Sequence, residues 1–121
     1  MTIKLDYGDK VVRADAAAIL ESDNVIYFDV DETLVLWKYQ EDFTDHPATI
    51  DIPAPYMRPA GSIVKAVPHH RNIDLLKRNK GQGRTVIVWS AGGALWAESV
   101  VKTLGLIQFV DLILAKPSTY V

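Results

Sequence analysis

The 121-residue sequence contains no cysteine, which excludes disulfide bonds, thiolate metal sites and cysteine nucleophiles. It also lacks an excess of one charge, because 13 lysines and arginines nearly balance 15 aspartates and glutamates, for a formal net charge of -2. This balance gives no long-range field that would attract nucleic acid or an anionic membrane. We therefore expect any binding to depend on local groups.

Long hydrophobic runs are absent as well. The apolar segments are only a few residues long, whereas a membrane-spanning helix needs roughly 20 apolar residues. The first residues also lack the apolar core of a signal peptide. Because neither kind of segment is found, we expect a soluble, cytoplasmic protein. Hydrophobic residues nevertheless make up 49% of the chain, so we expect one domain with a real core.

The middle and end of the sequence alternate between strand and helix patterns. Continuous apolar runs predict buried strands at Val25–Asp29, Thr85–Trp89 and Asp111–Ala115. Helical spacing of apolar residues predicts helices between them, from His69 to Gly81 and from Ala94 to Leu104. Short connections imply right-handed crossovers, and we predict a three-layer α/β fold whose parallel sheet has the first of these strands at its centre.

Two other parts of the sequence are less regular. Near the N-terminus, the Ala-rich piece Ala14–Glu21 favours a short helix. Prolines then punctuate two apolar pieces, Ala48–Ile52 and Ser62–Val67, which suggest short strands. We predict a flap insertion at about residues 35–67, a β-hairpin projecting beside the end of the first strand. A surface loop packed down by its aromatic residues is an equally good interpretation.

Polar residues follow each of the three predicted parallel strands. They are Asp29, Asp31 and Thr33 after the first strand, Ser90 after the second and Lys116 after the third. Open α/β sheets bind ligands outside the carboxyl ends of their strands. These residues therefore compose a candidate site.

The two carboxylates define the chemistry that such a site could perform. Two neighbouring carboxylates can hold a hard cation such as Mg2+, which prefers oxygen ligands and keeps some of its waters. A carboxylate can also attack phosphorus and form an acyl phosphate, which suits Asp29. Asp31 could then give a proton to the leaving group and afterwards activate the water that cleaves the intermediate.

The residues after the second and third strands are suited to a phosphate. Ser90 and the backbone N–H groups of Ala91 and Gly92 lie at a predicted helix N-terminus, which carries roughly +0.5 of a charge. Lys116 could neutralise the nucleophile and the phosphoryl group in transfer. These residues complete a candidate phosphate-transfer site.

Three motifs resemble those of the haloacid dehalogenase (HAD) superfamily. The string Phe28-Asp29-Val30-Asp31-Glu32-Thr33-Leu34 resembles its DxDxT signature, and Val86-Ile87-Val88-Trp89-Ser90-Ala91-Gly92-Gly93 resembles its second motif, a strand ending in Ser or Thr. Ala115-Lys116-Pro117 is similar to the third motif. The resemblance spans residues 28 to 117 and implies a Rossmann-like core, a minimal cap, Mg2+ dependence and phosphatase or phosphotransferase chemistry.

The resemblance also implies how the metal is held. The side chain of Asp29 and the backbone carbonyl of Asp31 would bind it, which leaves the Asp31 carboxylate available for proton transfer. A fourth, acidic motif would be expected after Lys116, but the sequence through Val121 contains none. We expect that the sequence is a shortened form of a longer protein; the alternative is an incomplete metal site.

Two functional classes remain open from the sequence. The first is a Mg2+-dependent phosphohydrolase acting on a small phosphomonoester or on the terminal phosphate of a larger molecule. The second is a non-catalytic phosphate-binding or regulatory protein that retains the fold. Asp29 and Asp31 favour the first class, and the missing fourth motif favours the second. The sequence indicates neither a specific substrate nor an oligomeric state.

Several other polar and aromatic residues are interpreted as structural. Adjacent histidines at a helix start do not share a face, so His69 and His70 are expected to be exposed or to cap the helix. The basic residues at the end of that helix are expected to be solvated rather than bound to nucleic acid. Trp96 could stack on a base or sugar, but its position in the helical stripe favours a core role.

Overall fold

The structure, a computed structural model, describes residues 2–4, 11–13, 24–36, 48–54, 57, 59 and 61–116. Within these residues the secondary-structure elements are, in chain order, β1 (Thr2–Lys4), β2 (Val11–Arg13), β3 (Val25–Asp29), β4 (Val35–Leu36), β5 (Ile50–Ala54), β6 (Ser62–Pro68), α1 (His70–Gly81), β7 (Thr85–Ser90), α2 (Ala94–Thr103), a short 3-10 helix (Ile107–Phe109) and β8 (Leu112–Ala115). The predicted helix at Ala14–Glu21 lies outside the described residues. Neither α1 nor α2 has the length and apolarity that crossing a membrane requires.

A five-stranded sheet with the order β1-β2-β8-β7-β3 forms one half of the fold. β3, β7 and β8 are parallel, with Phe28 opposite Val88 and Val88 opposite Ile113. Together with α1 and α2, they form the mixed α/β arrangement that the alternating pattern predicted. β1 and β2 extend the sheet with antiparallel pairs, so the sheet is mixed rather than wholly parallel.

The position of β3 differs from the prediction. We predicted a central strand, but among the described residues β3 lies at the edge of the sheet, paired only with β7. An apolar run indicates that both faces of a strand are covered. Whether the strand is central in the sheet depends instead on whether both of its edges pair with other strands. Even the faces are incompletely covered, because Tyr27 is 48% exposed.

The two helices pack on the same face of the sheet. Ile73 and Leu76 of α1 belong to the main hydrophobic cluster, as do Val100 of α2 and Val88 of β7. Burial of such side chains stabilises the fold by about 1.5–3 kcal/mol each. The opposite face carries a smaller cluster built on Ile87. With both described helices on one face, the three-layer arrangement stays a prediction.

The ends of the helices are set by local chemistry. At the start of α1, the Nδ1 atom of His69 accepts a hydrogen bond from the backbone N–H of Asn72, as the capping interpretation predicted. Gly81 is still helical, and the chain leaves α1 through Gly83, whose φ of +84° is costly for other residues. α2 is followed in the same way by Gly105, with a φ of +69°.

β5 and β6 form an antiparallel hairpin, which also pairs with β4 through β6. The two pieces predicted as short strands thus correspond to real strands. The hairpin does not project, however, because Ile52 and Ala66 are fully buried in the main cluster and the hydroxyl of Ser99 in α2 donates to the carbonyl of Pro53. Alternate apolar residues on β5 give it a face that packs on α2. Residues 37–47, in the remainder of the predicted flap, lie outside the described residues.

Candidate functional site

The carboxyl ends of β3, β7 and β8 meet at one edge of the sheet. Asp29 lies opposite Trp89, and Ser90 lies opposite Ala115. The backbone N–H of Lys116 also donates to the carbonyl of Ser90 at 2.8 Å. A cavity of about 160 Å³ opens at this edge, lined by Asp29, Val30, Asp31, Trp89, Ser90, Ala91 and Lys116. Five of the predicted site residues are thereby brought together from three separate segments.

Asp29 and Lys116 form an ion pair on the cavity wall. The distance from Lys116 Nζ to Asp29 Oδ1 is 3.2 Å, with the aspartate side chain 46% exposed. Because solvent screens such a pair, it adds little to stability. The same ammonium group lies 5.6 Å from the ring centroid of Trp89, within the range of a cation–π contact. A positive charge is therefore held beside an accessible carboxylate.

Asp31 has a different environment. Its Oδ2 atom accepts a hydrogen bond from the hydroxyl of Ser90 at 2.8 Å, and its Oδ1 atom accepts one from the indole Nε1 of Trp96 at 2.9 Å. Hydrogen bonds to an ionised carboxylate are among the strong ones in proteins. The two carboxylates of the DxDxT string are therefore distinct, one exposed beside a lysine and the other held by two neutral donors.

A tight turn follows β3 and positions the side chain of Asp31. The backbone N–H groups of Leu34 and Val35 both donate to the carbonyl of Val30, at 2.9 and 3.2 Å. Glu32 lies in the left-handed region with a φ of 61°, a conformation that costs a non-glycine residue about 1–3 kcal/mol. The chain reverses within a few residues of Asp31, which keeps that residue at the cavity.

Thr33 lies in this turn but is not among the residues that line the cavity. Its carbonyl accepts a hydrogen bond from the side-chain amide of Asn72 at 3.0 Å, which ties the turn to α1. The catalytic role predicted for Thr33 has no contact with the cavity to support it.

The turn between β7 and α2 is built around Ser90. The backbone N–H of Gly92 donates to the Ser90 hydroxyl at 3.0 Å, and that of Gly93 donates to the Ser90 carbonyl at 3.1 Å. Gly93 has a φ of +104°, which favours glycine. Of the predicted phosphate cradle, Ala91 lines the cavity, while the Gly92 N–H is directed at Ser90 itself.

Gly92 leaves room for a tryptophan. A Cβ atom at this position would lie 3.0 Å from Cδ1 of Trp96 and 3.3 Å from the hydroxyl oxygen of Ser90. Both distances are shorter than ordinary van der Waals contact between heavy atoms. The missing side chain therefore allows the indole to reach Asp31.

Sequence reasoning missed two aromatic residues at the site. Trp96 is buried, as predicted, but its one polar atom donates to Asp31. A buried indole N–H needs an acceptor, so the predicted burial of Trp96 already implied a polar partner for it. Trp89 lines the cavity and packs against Tyr27 with ring centroids 4.7 Å apart. Its place as the last aromatic residue before Ser90 was visible in the sequence.

The residues present fit a Mg2+ ion held by few protein groups. The accessible carboxylate of Asp29 can offer oxygen, and the HAD resemblance implies the backbone carbonyl of Asp31 as the second ligand, whereas both carboxylate oxygens of Asp31 already accept hydrogen bonds. Among the described residues there is no group of three or more His, Asp or Glu side chains that could hold a metal. Mg2+ commonly binds through one or two carboxylates and keeps several waters.

Asp111 belongs to a separate structural network at the far end of the sheet. Its carboxylate accepts from Lys80 Nζ at 2.8 and 2.9 Å and from the backbone N–H of Val86 at 2.9 Å. It lies before β8, whereas Lys116 lies after it. Lys80, one of the basic residues in the last turn of α1, is therefore paired with a buried carboxylate.

Comparisons of the chain with protein-family models, curated proteins and solved structures found no significant match. The geometry of the cavity and the motifs of the sequence therefore carry the functional argument.

Proposed function

We propose that this protein is a Mg2+-dependent phosphohydrolase that cleaves phosphomonoesters through an aspartyl-phosphate intermediate. The supporting observation is the cavity where Asp29, Asp31, Ser90 and Lys116 meet at the carboxyl ends of three parallel strands. The resemblance of the three motifs to the HAD superfamily supports the same reaction. Its fold would then be the HAD-like, Rossmann-like arrangement.

Asp29 is the nucleophile in this proposal. Its carboxylate is accessible from the cavity and lies 3.2 Å from the Lys116 ammonium. One carboxylate oxygen attacks phosphorus, a new P–O bond forms, and the ester P–O bond breaks. Lys116 stabilises the negative charge on the phosphoryl oxygens during transfer, and its contact with Trp89 helps to hold it there.

Asp31 transfers protons in both halves of the reaction. It first takes up a proton from solvent, gives that proton to the leaving ester oxygen as the P–O bond breaks, and, as a carboxylate again, accepts a proton from the water that attacks the aspartyl phosphate. In the structure, Oδ2 accepts a hydrogen bond from the hydroxyl of Ser90 at the cavity. A hydroxyl carries one hydrogen, so when Ser90 turns to a phosphate oxygen it releases Oδ2 for proton transfer.

The carboxylate of Asp29 and the carbonyl of Asp31 would hold the Mg2+ ion. When bound, Mg2+ supplies positive charge that offsets the charge of the phosphoryl group and the crowding of the acidic groups. This pair of ligands is the one that the DxDxT resemblance implies.

The size of the cavity favours a small reacting group. Its volume of about 160 Å³ is below the roughly 300–1,000 Å³ of pockets that enclose a drug-sized ligand. It suits a phosphoryl group with the first atoms of its ester. The substrate would be a small phosphomonoester or a terminal phosphate whose carrier stays outside.

Hydrolysis of p-nitrophenyl phosphate with and without Mg2+ tests this proposal. We expect Mg2+-dependent release of p-nitrophenol that Asp29→Asn abolishes. The matched control is Asp51→Asn, which makes the same chemical change at an exposed residue paired with Lys65 on the β5–β6 hairpin. The control should retain full activity. Activity that survives Asp29→Asn would eliminate the aspartyl-phosphate mechanism.

A non-catalytic phosphate-binding protein is the second candidate. It is favoured by the lack of a three-residue acidic metal group among the described residues. This candidate predicts that inorganic phosphate binds, as measured by calorimetry, with no turnover of p-nitrophenyl phosphate at any Mg2+ concentration. Turnover that requires Asp29 would exclude it.

A further inference from the structure

Trp96 combines deep burial with a hydrogen bond into the site. Its side chain is 6% exposed, and its Nε1 atom lies 2.9 Å from Oδ1 of Asp31. The indole has a single polar atom, which can only donate. A backbone carbonyl would satisfy that donor equally well, yet it is directed at the carboxylate proposed for proton transfer.

The indole is held by the core and not by Asp31. Trp96, Ala97 and Val100 of α2 all belong to the main hydrophobic cluster. On its other side, Cδ1 packs against the turn at Gly92, where even one added carbon atom would crowd the ring. The ring is therefore fixed by packing that does not depend on the hydrogen bond.

Asp31 is held less firmly by its own backbone. It lies two residues after the end of β3 and precedes Glu32, whose φ is 61°, so it lies in a turn, where its backbone forms an isolated bridge with Val35. A carboxylate on such a turn can rotate unless its oxygens are held. A fixed donor on one oxygen determines where the other points.

The two hydrogen-bond donors to Asp31 have different roles in the proposed reaction. The Ser90 hydroxyl binds Oδ2 on the cavity wall, and the proposed reaction requires it to turn to the phosphate. Trp96 is not among the residues that line the cavity, so its indole N–H reaches Asp31 from outside the cavity. It can therefore hold Oδ1 throughout the reaction.

We infer that Trp96 is a positioning residue for the proton-transfer step, whose indole N–H fixes the Asp31 carboxylate with Oδ2 directed at the leaving-group oxygen. This inference rests on the proposed phosphohydrolase function. The proton passes from Asp31 to the ester oxygen while the P–O bond breaks, and Trp96 itself exchanges no proton. Its effect is therefore largest where the leaving group most needs a proton.

Leaving-group dependence separates this role from a structural one. Trp96→Phe removes the N–H and keeps an aromatic ring in the core. A general acid contributes about 10²–10⁴-fold to a rate, so we expect kcat/KM, which reports the half-reaction that expels the leaving group, to fall by about tenfold or more for an alkyl phosphate such as glycerol 2-phosphate. With p-nitrophenyl phosphate, whose leaving group departs without a proton, kcat/KM should fall less than about threefold. Hydrolysis of the aspartyl phosphate is common to both esters and does not enter kcat/KM.

The control is Val101→Ala, which removes fully buried atoms from the same helix without touching Asp31. Any loss caused by a weakened core should affect both esters equally in this variant. Equal losses of kcat/KM for the two esters in Trp96→Phe, with an active wild-type enzyme, would overturn the positioning role and leave the phosphohydrolase proposal intact. A wild-type protein that hydrolyses neither ester would overturn the proposed function and this inference together.

The hydrogen bond can be tested without any activity. The chain has three tryptophans, so its 15N-labelled form should give three indole N–H resonances, with that of Trp96 identified by its loss in Trp96→Phe or by selective assignment if that variant fails to fold. Asp31→Asn should shift the Trp96 resonance, whereas Asp29→Asn should leave it in place. A Trp96 resonance whose chemical shift is the same in Asp31→Asn as in the wild type would contradict the inference.

Discussion

Asp111 offers a quantitative test of the packing that sets the site. Its side chain is 3% exposed and joins the end of α1, through Lys80, to the start of β7, through the backbone N–H of Val86. β7 and β8 carry Ser90 and Lys116 at their other ends. The Asp111 network therefore helps to fix the register on which the cavity depends.

The cost of Asp111→Ala follows from these contacts. Removing one partner of a buried ion pair costs about 3–5 kcal/mol, and a buried N–H left without an acceptor costs about 1–3 kcal/mol. Lys80 is 31% exposed and can regain water, so we expect a loss of about 3 kcal/mol in the free energy of unfolding. Asp111→Asn keeps an acceptor for Val86 and should lose only about 1–2 kcal/mol.

Urea denaturation followed by tryptophan fluorescence measures these losses. Asp51→Ala is the control, because it breaks an ion pair with Lys65 in which both side chains are more than half exposed. Such a surface pair contributes about 0–1 kcal/mol. If the free energy of unfolding of Asp111→Ala lies within about 1 kcal/mol of the wild-type value, as that of the control should, the role ascribed to the Asp111 network is refuted.

Three further substitutions test other parts of the structure. Lys116→Met should lower kcat for p-nitrophenyl phosphate by about 10²-fold while leaving the urea midpoint nearly unchanged, because Lys116 acts on transition-state charge from an exposed pair; unchanged kcat would contradict its role. Gly92→Ala should destabilise the protein by about 1–3 kcal/mol and shift the Trp96 indole resonance, since the new carbon would lie 3.0 Å from Cδ1; an unshifted resonance would refute the close packing. Ile52→Ala should lower the free energy of unfolding by about 2–5 kcal/mol, because Ile52 is fully buried; a negligible loss would mean that the hairpin projects into solvent.

The parts of the site that the sequence predicted are those in which strand pattern and residue chemistry coincide. Apolar runs ending at Asp29, Ser90 and Lys116 predicted adjacent strands, and the carboxyl ends of adjacent parallel strands meet at one edge. Which residues line the cavity followed largely from this rule. The HAD-like identity and the reaction stay proposals.

Other features depend on contacts that periodicity does not encode. β2 is only three residues long, so no pattern could show that it pairs with β8. The edge position of β3 likewise depends on which strands pair with it, and not on its own side chains. The contact of Trp96 with Asp31 joins residues 65 positions apart. This contact depends on the backbone conformation of the Ser90–Gly93 turn. A run of small residues predicts that a turn is present but not which conformation it adopts.

The hairpin shows how prolines can mislead. Prolines around β5 and β6 suggested a projecting flap, but the two strands pair without a break from Ile50 to Ala54, and alternate residues of β5 are apolar. Pro53 lies in β5, where its carbonyl accepts from Ser99. Burial of Ile52 and Ala54 decides the outcome, because an apolar face of this kind favours packing on α2 over exposure to water.

Trapping the phosphorylated protein tests the central claim most directly. The wild-type protein would be mixed with 32P-labelled p-nitrophenyl phosphate and Mg2+, quenched in acid and assayed for protein-bound label that hydroxylamine releases, as expected for an acyl phosphate. We predict such label on the wild type, more of it on Asp31→Asn because the attacking water loses its base, and none on Asp29→Asn. Turnover without labelled protein in both the wild type and Asp31→Asn, or label that persists in Asp29→Asn, would contradict the account.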